Sequence, residues 1–146
     1  MTDADVQRIT RWSDGYKPIA ADMLVVSEAL AQQRLDDARV ALDRLPPRLD
    51  SADALVRSLE TADLRATMDD YMAITRKTIV AFDRLLDHLT SEPRDTSERV
   101  KRLEALRSAN EELFKADSKI ADRIFDHASE EQQKTLERVI PKAAFA

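Results

Sequence analysis

The segment from Ala62 to Leu89, ADLRATMDDYMAITRKTIVAFDRLLDHL, constrains the fold more than any other part of the chain. It has neither Gly nor Pro. Leu64, Met68, Tyr71, Met72, Thr75, Ile79, Phe82, Leu85, Leu86 and Leu89 recur in it at helical steps. That spacing gathers them on one wide face of an α-helix, with Asp69, Asp70, Arg76, Lys77, Asp83 and Arg84 mostly opposite. An apolar face this wide needs more than one neighbouring helix to cover it. The segment therefore predicts a helical bundle.

The rest of the chain supports that class. With 146 residues, a single Gly and an excess of good helix formers, it reads as one all-α domain spanning 1–146. Three long, partly kinked arms are expected, at about 3–45, 48–90 and 95–140, in an antiparallel up-down-up bundle. Thr2 or Asp3 can cap the first helix, which Asp14-Gly15 should stop and Pro18 restart. Pro46-Pro47 should end the first arm, because proline removes a backbone donor and excludes the residue before it from helical geometry. From Leu49 to Thr90 no breaker intervenes, so one helix is expected. The alternative is a break near Thr61, with residues 48–60 folding back into a compact four-helix bundle. Ser91-Glu92-Pro93-Arg94 reads as a tight connection. Asp95 with Glu98, and Ser129 with Gln132, read as capping boxes. The tail from Lys142 is expected to be loose unless Phe145 docks.

Composition limits the chemistry. There is no cysteine, which excludes disulfides, thiolate metal sites and cysteine nucleophiles. A single Gly leaves no room for a glycine-rich phosphate loop. Net charge is −5, and no third of the sequence is net basic, so no nucleic-acid footprint is visible; Arg99, Lys101, Arg102 and Arg107 read as a solvated face. No apolar run is long enough for a membrane span, and the polar start lacks signal-peptide features, so a cytoplasmic location is expected.

The histidines His88 and His127 fall in related segments, Asp83–His88 and Asp122–His127. Neither forms the Glu-x-x-His pattern of bundle metal sites, and an antiparallel hairpin turning near Pro93 keeps the two far apart. No metal, cofactor or catalytic residue is implied.

Two features remain as candidate sites. Asn110 and Asp117 interrupt the stripe of the third arm. In the hairpin register Asn110 lies opposite Arg76, near Thr75 and Thr78. Such a polar layer either specifies register or forms a small polar ligand cleft. Trp12 and Tyr16, at the expected helix break, are candidates for an interface. The leading expectation is a non-enzymatic bundle acting through protein–protein contact, as a homodimer. The alternative is a small-ligand-binding or sensing bundle built on Arg76, Asn110, Asp117, Thr75 and Thr78.

Overall fold

A computed structural model describes residues 1–91 and 94–140. The protein is all-α. Helix α1 spans Asp3–Ala31, α2 Leu35–Asp43, α3 Leu45–Arg57, α4 Ala62–Ser91, α5 Thr96–Phe125 and α6 Glu130–Leu136. Thr2 caps α1 by accepting from the Asp5 N–H, Asp95 caps α5 through the Glu98 N–H, and Ser129 with Gln132 forms a reciprocal capping box on α6.

The expected arms are redrawn in four places. Gly15 and Pro18 do not interrupt α1, which runs through both. Gly15 lies on an exposed face, and Pro18 removes only one donor from a helix already anchored by Ile9, Trp12, Ile19 and Val26, which are buried. The first arm instead reverses at Gln32–Arg34. There Gln33 takes the left-handed conformation, with φ of 58°, while the N–H of Arg34 donates to Ala29 (2.8 Å) and that of Gln33 to Leu30 (3.1 Å). This pair of bonds is a Schellman motif with glutamine at the site glycine usually fills. The chain then runs back as α2 and α3. Pro46 and Pro47 begin α3 rather than ending an arm, in the first turn where their missing donors are not needed. The continuous helix expected from Leu49 to Thr90 is broken at 58–61, as in the alternative reading.

Side-chain bonds order the segments. Asp5 meets Glu60 and Thr61, Trp12 meets Met72, and Tyr16 meets Thr75, so α1 and α4 run parallel. Between them α2 and α3 run the other way. Arg39 of α2 donates to Asp83 and Asp87 of α4, both at 2.7 Å. Arg44 (3.0 Å) and Arg48 pair with the buried Asp22 of α1. Helix α5 returns antiparallel along α4, with Tyr71 bonded to Asp117 and Lys77 to Glu112 (2.9 Å). That register lies within a few residues of the one expected. Glu92 and Pro93 of the tight connection lie outside the described residues, as do Pro141, Lys142 and Phe145. The buried His88 sits across that connection, its Nε2 3.2 Å from the Asp95 carbonyl. At the opposite end, α6 packs on α1, and Gln132 donates to the Met1 carbonyl (2.9 Å) and Asp3 (3.2 Å).

Asp5 secures the chain at 58–61. It sits on the same helical face as Ile9, Trp12 and Tyr16 and is fully buried. Its carboxylate accepts from the N–H groups of Glu60 (2.8 Å) and Thr61 (3.0 Å) and from the Thr61 hydroxyl (2.6 Å). Burial opposes its ionisation, but these donors outweigh burial and hold its pKa at about 2.

Candidate functional site

The principal polar cluster of the core grows from α1 and α4. On α1, Trp12 and Tyr16 are one turn apart and stack, with ring centroids 5.1 Å apart. Tyr71 of α4 packs its edge against Trp12 at 5.8 Å and lies 5.3 Å from Tyr16. Edge and offset contacts of this kind each add about 1 kcal/mol beyond burial. Every polar handle in the cluster is engaged. The Trp12 N–H points at the Met72 sulfur at 3.5 Å. The Thr75 hydroxyl donates to the Tyr71 carbonyl (3.2 Å), so it accepts from the Tyr16 phenol (2.9 Å). The Tyr71 phenol donates to Asp117 of α5.

Burial sets the proton affinities here. It pushes the Tyr16 phenol up to about 12, with hydrogen bonds to Thr75 and Tyr71 pulling weakly the other way. Tyr71 is raised further, by burial and then by its proximity to Tyr16 and Asp117. Burial also raises Asp117, and the bond from Tyr71 offsets part of that rise. Tyr71 therefore stays protonated and serves as the donor to Asp117.

Asp117 is half-buried because one side of this cluster opens into a cleft between α1, α4 and α5. The cleft has a volume of about 320 Å³. Its walls include Tyr16, Met23 and Leu24 on one side and Asn110, Leu113 and Asp117 on the other. It presents a carboxylate and an amide against a largely apolar wall.

The expected polar layer is thus only partly assembled. Asn110 and Asp117 share the cleft, and Thr75 lies beneath it in the hydrogen-bonded cluster. Thr78 is buried in the α4–α5 seam, where its hydroxyl reaches the carbonyls of Ile74 (3.1 Å) and Ala109 (3.3 Å). Arg76 is elsewhere. One residue beyond Thr75, it is turned about 100° around the helix. There its Nε donates to Asp53 of α3 at 2.9 Å, and its Nη2 lies 3.4 Å from Asp50. Arg76 and Asn110 share a level of the bundle but not a face. Trp12 and Tyr16, expected at a surface interface, are only 1% and 2% exposed, because α1 continues through Gly15 and keeps both rings inside. The two histidine segments part company too: Asp83 and Asp87 pair with Arg39, whereas the His127 carbonyl accepts from the N-terminal amine.

The exposed apolar residues lie elsewhere. Val100, Leu103 and Phe114 of α5 are 52%, 48% and 64% exposed, and Leu24 and Val25 stand out from α1. Around Leu103 and Phe114 the outer side of α5 forms a shallow depression, lined by α5 alone. The periodicity of the third arm contains these residues but does not separate inward from outward ones, which is why the sequence did not single them out. Among the described residues, no group of three or more His, Asp or Glu side chains is placed to hold a metal ion, and no helix is long and apolar enough to cross a membrane. No protein-family model matches the chain, and neither a curated protein nor a solved structure does.

Proposed function

We propose that this chain is a non-enzymatic helical-bundle module that acts through protein–protein contact, as an adaptor, scaffold or regulatory element, with the outer face of α5 as its contact surface. One observation carries the reading: Phe114, a large aromatic side chain, stands 64% exposed on the same helix side as the half-exposed Leu103. Isolated exposed apolar residues are ordinary, but a continuous apolar face rimmed by charge marks a contact site. An exposed aromatic is the residue type that anchors such contacts. The test is a Leu103→Asp/Phe114→Asp variant. Helical content and melting temperature should be retained while association with any partner, identical or different, is lost. Equal association of variant and parent would overturn the reading.

A second reading rests on the cleft. Asp117 and Asn110 face one apolar-walled space of about 320 Å³, which suits a small polar ligand carrying a donor for the carboxylate. Thermal-shift screening with small amines and amides tests it: stabilisation should disappear in Asp117→Ala. A panel that leaves the melting temperature unmoved counts against this reading.

A further inference from the structure

We propose that the partner of α5 is α5 of a second copy of this chain, packed antiparallel about a two-fold axis at the level of Ala109. The inference rests on the protein-contact reading and adds partner identity and geometry. Its starting point is the charge order along the rim of the apolar face. Glu104, Arg107, Glu111 and Lys115 all border the depression over α5. Their signs alternate along the chain: minus, plus, minus, plus. Read backwards, the order is plus, minus, plus, minus.

A two-fold axis perpendicular to a helix pair makes the helices antiparallel and sets the same flank of each against itself. With the axis at Ala109, Arg107 faces Glu111 of the second copy, and Glu104 comes within one residue of facing Lys115 of the second copy. The reciprocal pairs form by symmetry. The same register, within one residue, brings Leu103 against Phe114 of the second copy, twice. Parallel pairing would set this flank against the opposite flank of the second copy and leave the four charges without these partners. Arg107 and Glu111 are 70% and 62% exposed and lie 3.5 Å apart within α5, so both remain available to turn outward. Asn110 sits beside the axis, where a polar residue fixes register at some cost in affinity. Leu24 of α1, across the cleft from Asn110, widens the apolar surface.

The chain has no cysteine, so introduced cysteines report pairing directly. Disulfides require Cα atoms within about 7 Å. Under mild oxidation Asn110→Cys should form a covalent dimer. Leu103→Cys and Phe114→Cys should each form no covalent dimer alone and cross-link when mixed. Parallel pairing predicts the reverse, with each variant linking to itself and the mixture giving no cross-pair; that result overturns the proposal. Charge variants provide a second arm. Glu104→Lys/Glu111→Lys and Arg107→Glu/Lys115→Glu should each weaken self-association by about tenfold or more, and mixing them should restore it. A parent chain that stays monomeric up to millimolar concentration overturns the second-copy proposal. If such a monomer still loses capture of a different protein on Phe114→Asp, the contact reading survives; if capture is unaffected, both fail.

Discussion

Helices α4 and α5 have the same length, 30 residues each, and pack against one another, yet the bundle uses them differently. Helix α4 buries residues from Leu64 to His88 and is covered by α1, α2, α3 and α5. Helix α5 buries nothing before Ala109 and leans on α4 as its principal support. The contrast separates two uses of an amphipathic helix. In α4 the apolar stripe is consumed by the fold. In α5 part of the stripe is left over, and that surplus is where function is proposed.

The sharpest way to break this comparison is to truncate one side chain from each helix. Leu86→Ala, at a site with no exposure, should cost about 3 kcal/mol of unfolding free energy. Phe114→Ala, removing a larger side chain, should stay within about 0.5 kcal/mol of the parent. Chemical denaturation of both variants at low protein concentration measures the difference. Similar losses would mean that the fold depends on the outer side of α5 no less than on the core of α4.

Next in size is Asp5. Asp5→Ala leaves the N–H groups of Glu60 and Thr61 without their acceptor inside the bundle and should cost about 2 to 3 kcal/mol. The same clamp sets an acid limit. Its folded pKa of about 2 lies below the ordinary 3.8, so its stabilisation is complete above the ordinary value and drains away as pH falls toward 2. A melting-temperature series against pH should show the parent losing its advantage over Asp5→Ala across that window.

The hairpin was legible in the sequence, and the clamp was only partly so. Periodicity in both long helices, with a turn near Pro93, placed Asn110 near the level of Arg76, and Lys77–Glu112 lies close to that register. Pattern gives the level along a helix more readily than the face. Arg76 was therefore paired with the wrong neighbour, since Asp50 and Asp53 could not be brought beside it until α3 was folded back. The reversal at Gln32–Arg34 carries no glycine, so the strongest sequence signal for a left-handed cap was missing. The one glycine stands at Gly15, where the helix simply continues. Asp5 did leave a trace: it shares the spacing of Ile9, Trp12 and Tyr16, and a carboxylate on an apolar face calls for buried donors.

Asp117 gives a smaller effect and separates the cluster's two roles. Burial raises its pKa, so its ionised form is disfavoured in the fold as pH climbs past the ordinary carboxylate range. Asp117→Asn keeps an acceptor for Tyr71 without a charge and should leave stability near neutral pH unchanged or slightly raised. Asp117→Ala should lose about 1 to 2 kcal/mol, because the Tyr71 phenol loses its acceptor. Denaturation curves of the pair decide. Smallest are the two backbone positions. A Cβ added at Gly15 meets nothing within 4 Å, so Gly15→Ala should stabilise by about 0.5 to 1 kcal/mol. Gln33→Gly, relieving the left-handed residue, should gain a similar amount.

The most direct test of the account is the solution mass of the parent beside Phe114→Asp, measured by sedimentation over a range of concentrations. With α5 as a self-complementary face, the parent should move toward twice its 16.6 kDa as concentration rises, and the variant should remain at 16.6 kDa while keeping its melting temperature. A parent that holds 16.6 kDa throughout, or a variant that associates as strongly as the parent, would contradict it.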